Sequence, residues 1–309
     1  MTGKGTILLW GLSIDPPLAV VRDALKRMGC RVMLLDQRDV LDTEVDFVVG
    51  SSVEGRLRAG QNTIKLNEVK AVYPRPYDLS DLPAIASSGP GSEAWQHALA
   101  VQDILNSWTE ITPALVVNRP AVAEANGSKP YQSLWIESLG FRIPETLITT
   151  DPDVAVEFWK QHGRVIYKSL SGVRSIVSRV TDEHIARSAD VASCPTQFQH
   201  YVPGIDYRVH LVGDEVFACR ILSDADDYRL SNSRVEMQSC ELPEEINALC
   251  RSLVMSMDLL VAGVDLRCTP DGDWYCFEVN PSPGFTYFQG RTGQPIADAV
   301  ARLLGSAPD

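Results

Sequence analysis

Gly263-Val264-Asp265-Leu266-Arg267 and, a short stretch further on, Cys276-Phe277-Glu278-Val279-Asn280-Pro281 decide how this chain folds and what it can hold. Between them stands Pro270-Asp271-Gly272-Asp273, and Asp-Gly between two apolar runs is a strong hairpin signal. A two-residue turn at Asp271 and Gly272 sets Asp265 directly opposite Glu278. Side chains alternate along a strand, so Glu278 and Asn280 share a face and Asp265 joins them from across the ladder. Like charges placed opposite each other destabilise a sheet unless a cation lies between them, and hard oxygen donors of this kind suit Mg²⁺ carrying a nucleotide's phosphates. The flanking Val264, Leu266, Phe277 and Val279 predict two largely buried strands, which argues against two acids on a solvated face.

A phosphate-binding side is legible upstream. Val165-Ile166-Tyr167-Lys168 reads as a buried strand ending in a lysine, and the small-residue loop Ser169-Leu170-Ser171-Gly172 behind it can close over phosphates. Lys129 starts a helix in which Leu134 and Leu139 are expected to face inward, with Ser128 as its cap. Either lysine alone would be unremarkable. Gln199-His200-Tyr201-Val202-Pro203-Gly204-Ile205-Asp206-Tyr207-Arg208 reads as an extended segment with a turn, leading into strands from Val209 to Val212 and Val216 to Ile221. Arg208, Arg220 and Arg229 recur along these strands and the loop after them, in a chain of net charge −12. Arginines gathered on a sheet that also carries two acids suggest neutralisation of a transferring phosphoryl group.

The first third alternates strand and helix: Thr6 to Trp10, then a helix from Pro17 to Met28 with Leu18, Val21, Leu25 and Met28 on one face, then a strand from Arg31 to Leu35. This is an open α/β unit. Asp36 closes the second strand, as an acid does in many dinucleotide-binding domains. The first turn, Gly11-Leu12-Ser13-Ile14-Asp15-Pro16, has one glycine where phosphate recognition wants three, and Pro16 and Pro17 remove amide donors, so NAD binding is set aside. Val69 to Tyr73 is expected as a strand, Ser87 to Ser92 as a loop, Glu93 to Trp108 as a helix and Leu115 to Val117 as a strand, with a boundary at Asn118-Arg119-Pro120.

Composition limits the alternatives. The chain has 309 residues, 45% hydrophobic and 22% charged, enough for several packed layers. Its acidic balance argues against a partner held through a nucleic-acid backbone, and no apolar run approaches a membrane span or an export signal, so a soluble, cytoplasmic protein is expected. Seven scattered cysteines show neither zinc nor disulfide spacing and are expected as buried thiols. The five histidines show no spacing for zinc or an activated nucleophile, and packing or surface roles are expected for them. The run Phe285-Thr286-Tyr287-Phe288 can either line an acceptor pocket or pack the last helix, Ile296 to Leu304.

Taken together, Lys129, Lys168, the Gln199 to Gly204 linker, Asp206-x-Arg208, Arg220, Arg229, and Asp265 with Glu278-x-Asn280-Pro281 resemble the ATP-grasp carboxylate ligases. The resemblance implies an α/β fold of three parts: a pre-grasp domain at 1–117, a central lid at 118–198 and a C-terminal antiparallel-sheet domain at 199–309. It implies ATP contacts from Lys129, Lys168, Ser171, Gly172, Gln199, Asp206 and the backbone of His200 and Val202. Arg208, Arg220 and Arg229 would act on the reacting phosphoryl and acyl groups, and Asp265, Glu278 and Asn280 would bind two magnesium ions. Arg75, Arg267, Ser282 and Gly284 stand as possible substrate contacts.

A narrower likeness reaches into the first third. Asp36-Gln37-Arg38, Thr43-Glu44-Val45 and Leu66-Asn67-Glu68-Val69-Lys70-Ala71-Val72-Tyr73 resemble the domain ahead of the ATP-grasp in microviridin-type (graspetide) macrocycle ligases. Thr146-Leu147-Ile148-Thr149-Thr150-Asp151-Pro152 and Phe198-Gln199 resemble the same group. That group joins Asp or Glu side chains of a precursor peptide to Thr, Ser or Lys side chains, commonly as homodimers. Tyr73-Pro74-Arg75-Pro76 and His200 depart from its usual pattern, and Asn280-Pro281-Ser282-Pro283-Gly284-Phe285 is similar to the glutamate-adding ligases. A ligase joining an amino acid to a small molecule or a protein terminus, a kinase, and a non-catalytic nucleotide binder are the other readings.

Overall fold

A computed structural model describes residues 5–125, 128–169, 178–193, 196–223 and 235–308; Leu170, Ser171, Gly172 and Arg229, named above, and Cys194, one of the seven cysteines, lie outside them. The chain opens on β1 (Thr6–Gly11), α1 (Pro16–Arg27) and β2 (Val32–Asp36). β1 is apolar on both faces because both are covered. Ile7 and Leu9 pack with Leu18, Val21 and Leu25 of α1, while Leu8 and Trp10 join a second cluster on the other side. Asp15 caps α1, accepting from Leu18 N at 3.0 Å, and Met28, expected on the buried face, is the exposed residue at the helix end. The Asp36 carboxylate is taken by Arg38 and the backbone N–H of Ser13; burial raises its pKa, but those bonds outweigh it and hold it at about 2.

An antiparallel meander that the sequence reading did not foresee comes next: β3 (Thr43–Val49), β4 (Val53–Ala59) and β5 (Asn62–Lys65). β6 (Val69–Arg75) then pairs parallel with β1. α2 (Pro83–Ala86), α3 (Glu93–Ile111) and β7 (Leu115–Val116) complete a four-stranded sheet ordered β2-β1-β6-β7.

After α4 (Pro120–Ala125) and α5 (Lys129–Ser138) come β8 (Thr146–Thr149), α6 (Pro152–His162), β9 (Val165–Ser169), β10 (Ser178–Arg179), α7 (Asp182–Ala186) and β11 (Thr196–His200). The strands make a second sheet ordered β10-β9-β11-β8, and the boundary expected at residue 199 falls inside β11. On α5 the buried positions are Gln132 and Ile136; Leu134, two residues off that face, is 67% exposed, contrary to expectation. Ser128 occupies the N-cap position without a side-chain cap bond.

The largest sheet follows: β12 (Ile205–Val212), β13 (Glu215–Ser223), β14 (Val235–Cys240), then α8 (Glu244–Ser256), β15 (Val261–Cys268), β16 (Trp274–Asn280), α9 (Thr286–Thr292) and α10 (Ile296–Gly305). Its order is β14-β13-β12-β15-β16. α8 covers the face bearing Val209, Leu211, Val264 and Leu266, whereas Phe288 of α9 packs on Cys219 and Ile221 of the other. Cys219, Cys250 and Cys276 are buried, with burial pushing Cys219 up to about 11 and Cys250 up to about 12; Cys30, Cys240 and Cys268 are only half-buried. Among the described residues no helix is long and apolar enough to cross a membrane.

Asn118 joins the first layer to the last. Its buried amide donates to Val261 O at 2.7 Å and Pro281 O at 2.6 Å, and its oxygen accepts from Leu260 N at 2.8 Å and Val261 N at 3.2 Å. Each stranded buried polar group costs about 1–3 kcal/mol, so Asn118→Ala is expected to lower stability by at least about 3 kcal/mol in denaturant titration.

Candidate functional site

The β15–β16 hairpin reaches the expected pairing by an unexpected turn. Thr269 N donates to Asp273 O at 2.9 Å and Gly272 N to Thr269 O at 3.0 Å, closing a three-residue turn over Pro270, Asp271 and Gly272. Gly272 has φ +90°, a conformation that suits glycine. Nearest the turn, Cys268 pairs with Trp274, Arg267 with Tyr275 and Leu266 with Cys276. A bulge that leaves Phe277 without a partner then shifts the register, so Asp265 faces Glu278 and Gly263 faces Asn280. The two departures from a simple two-residue hairpin cancel at the acids.

β12 adds the next column, with Arg208 opposite Asp265 and His210 opposite Gly263. One sheet face therefore carries Asp206 and Arg267, then Arg208, Asp265 and Glu278, then His210, Gly263 and Asn280. Arg208 Nη1 bonds Asp265 Oδ1 at 2.7 Å, and the arginine is almost wholly covered. A Cβ on Gly263 would come within 2.1 Å of Arg208 Nη2, so the guanidinium lies in space that only glycine leaves open. Arg220 does not join this group. It pairs with Tyr207 and Gln238, one step out of phase, which puts it on the opposite face. Its spacing from Arg208 crosses a turn, and an even spacing keeps its face only within one strand.

β16 is an edge strand, and two groups hold it. Gln132 Nε2 donates to Val279 O at 2.7 Å while its Oε1 accepts from Val279 N at 2.9 Å, so one buried side chain plays the part of a neighbouring strand. Cys276 N donates to Arg142 O at 2.9 Å. Lys129 precedes Gln132 by one helical turn and shares its side of α5, which is turned to β16. Neither Gln132 nor Asn118 was singled out from sequence. Both are amides serving backbone groups of remote strands, and no local pattern marks that use.

The linker between the sheets has its own ties. Gln199 is buried in β11, its Nε2 donating to Thr146 Oγ1 at 3.1 Å. His200 N donates to Glu145 O at 2.9 Å, and burial, with the His162 ring 5.1 Å away, holds the His200 imidazole below its usual range. Asp206 is clamped by Arg267 through bonds of 2.6 and 3.0 Å, and the same guanidinium donates to Val202 O at 2.8 Å. Lys168 of β9 is 9% exposed and sits opposite Gln197, on the sheet face away from the Phe158 and Phe198 cluster.

Arg75 crosses from β6 to the loop after β16. Its Nε donates to Asp15 at 2.8 Å and its Nη1 to Ser282 Oγ at 2.9 Å, and it lies 5.9 Å from the Tyr73 ring centroid. Burial opposes its charge, but Tyr73 and Asp15 outweigh it and raise its pKa. Ser282 N in turn donates to Asn280 Oδ1 at 2.8 Å. The chain Asp15, Arg75, Ser282, Asn280 thus orients a candidate metal ligand from the first layer, a use not expected for Arg75 or Ser282. Gly284 is exposed. Of the aromatic run, Phe285 and Phe288 are buried and pack, leaving Tyr287 exposed.

Asp265, Glu278 and Asn280 fit a hard divalent cation by their chemistry. Asp265 is answered by Arg208, and Glu278 has no ion pair among the described residues. No group of three acids, histidines or cysteines that could hold a metal is found among the described residues. Two carboxylates and an amide oxygen suit a Mg²⁺ that completes its shell with phosphate oxygens and water.

A family model for the RimK-like ATP-grasp domain matches residues 136–304, more than half of the chain, and the chain belongs to that family. Solved structures share the fold along nearly the whole length. The macrocyclase MdnC from Microcystis aeruginosa, bound with precursor peptide MdnA, superposes with a TM-score of 0.84 at 23% identity, covering 97% of this chain and 99% of that one. A RiPP-associated ATP-grasp ligase from Chryseobacterium gregarium, in complex with ADP and leader and core peptides, gives 0.82 at 20% identity over 97% and 96%. D-alanyl-alanine synthetase A from Vibrio cholerae gives 0.64 at 15% over 99% of each.

Gln132→Ala leaves the N–H and C=O of Val279 unpaired. It is expected to cost about 2–4 kcal/mol in denaturant unfolding and to weaken Mg²⁺-dependent ADP binding, read by calorimetry with and without the metal.

Proposed function

We propose that this protein is an ATP-dependent ligase that activates a carboxylate as an acyl phosphate and joins it to an amine or hydroxyl of a ribosomally made precursor peptide, closing ester or amide rings. The observation that carries the reading is the opposed pair Asp265 and Glu278 with Arg208 beside it on one sheet face. Two acids there are tolerable when a cation and a polyphosphate complete the charge balance. Membership of the RimK-like ATP-grasp family supports the nucleotide and the ligase chemistry. The precursor peptides bound in similarly folded structures support the substrate class.

On this reading the pre-grasp domain spans 1–117, the lid 118–198 and the C-terminal domain 199–309. ATP lies between the last two, with Lys129, Lys168, Ser171 and Gly172 at its phosphates, the His200 and Val202 backbone at the adenine edge, and Gln199 and Asp206 close by. Asp265, Glu278 and Asn280 hold two magnesium ions, which when bound offset charge on the phosphate oxygens. The substrate carboxylate oxygen attacks the γ-phosphorus and ADP leaves. The amine or hydroxyl then attacks the acyl carbon, loses its proton, and expels phosphate. Arg208 and Arg229 face the charge that develops in both steps. Arg75, Arg267, Ser282 and Gly284 line the approach of the peptide. The enzyme works as a cytoplasmic homodimer.

The test is intact mass spectrometry of a short peptide encoded beside the gene, incubated with the protein, ATP and Mg²⁺. Loss of one water mass per bond formed is expected. Gain of a phosphoryl group would make the protein a kinase, gain of an amino-acid residue a terminal ligase, and either would overturn the ring-closing reading. Glu278→Gln and Asn280→Ala should each lower turnover by about a hundredfold or more while unfolding midpoints stay close to the parent. Near-normal turnover in both would remove the metal assignment.

A further inference from the structure

His210 is a buried polar side chain that this chemistry does not use. It is 1% exposed on β12, two residues from Arg208 on the same sheet face. Its Nε2 is 3.4 Å from Arg208 Nε, and its Nδ1 has no hydrogen-bond partner among the described residues. The ring lies against Phe285 and Phe288, with centroids 6.5 and 5.1 Å away. From sequence, a packing or surface role was expected here.

We propose that His210 is a positioning residue, a neutral imidazole that accepts the Nε–H of Arg208 and holds its guanidinium on the site face without neutralising it. The inference rests on Arg208 acting on the transferring phosphoryl group. An arginine N–H can only donate, so Nε2 must carry a lone pair and the ring proton sits on Nδ1. The rest of the guanidinium is placed by Asp265 at Nη1, by the Phe288 ring 5.7 Å away, and by the gap at Gly263. Asp265 already balances one unit of charge. A carboxylate at position 210 would add a second and turn the positive centre negative, whereas an imidazole fixes direction alone. Burial and the neighbouring Arg208 both hold the imidazole well below its usual range, in keeping with a neutral ring.

Two readouts test this on the full chain. Nitrogen-15 NMR of the imidazoles, with the His210 signals assigned through His210→Gln, should show Nδ1 protonated and Nε2 bare; a protonated Nε2 overturns the proposal. ADP release is then followed with MgATP and the peptide encoded beside the gene. His210→Leu should lower kcat by about tenfold or more with little change in KM for ATP. His210→Gln, whose amide oxygen reaches the place of Nε2, should restore most of it, and His210→Asn, whose oxygen reaches only the place of Nδ1, should not. Equal kcat in the Leu and Gln variants, with matched unfolding midpoints, would overturn the positioning role. Arg208→Ala separates the two layers: intact kcat there overturns the role of Arg208 and this inference with it, while kcat lost in Arg208→Ala but kept in His210→Leu overturns this inference alone.

Discussion

Two carboxylates set face to face across the β15–β16 ladder are the constraint around which the rest of this molecule is arranged. Asp265 and Glu278 repel, and a strand pair carrying them would favour another register unless something held this one. Three devices do so. The bulge at Phe277 corrects the offset left by the three-residue turn, the buried Val264, Leu266 and Val279 commit the opposite face to the α8 core, and Gln132 grips the outer edge of β16 through Val279. Arg208 meets one of the two charges from within the sheet. What remains is an acidic spot open to a cation.

The same spot is fixed from outside its own sheet. Asn118 ties the end of the first layer to the start of β15 and to Pro281, and Arg75 reaches from β6 to Ser282, whose N–H orients Asn280. These contacts make the first layer a part of the site's geometry. Arg267 plays a related part on the other side, holding Asp206 and the Val202 carbonyl together at the linker between the second sheet and the largest one.

Much of this was legible in the chain. The alternation in 263–267 and 276–281, with Asp-Gly between, predicted a hairpin with Asp265, Glu278 and Asn280 on one face, and the first α/β unit followed from apolar periodicity and turn residues. The errors have physical causes. Arg220 was grouped with Arg208 by spacing, but their strands are separated by a turn, so their relative face depends on the pairing register. Leu134 was expected to face inward with Leu139, yet the side of α5 turned to the sheet is the one that carries Gln132 and Ile136. The β3-β4-β5 meander was passed over although Val45 and Phe47, then Val53, Leu57 and Ala59, alternate with charged residues; the alternation is a legible strand signal, and only the pairing of these strands with one another was beyond local reach.

The sequence by itself determined which elements form and which chemical groups can meet, because helix and strand periods are local and charge type is carried by each residue. The tertiary structure alone decided which amide serves which backbone. Gln132 and Asn118 each satisfy groups of strands more than a hundred residues away, and nothing in their local surroundings distinguishes them from ordinary surface amides. It also decided that Arg75 is a clamp and that His210 meets Arg208, since burial and hydrogen-bond direction exist only once distant strands have closed on one another.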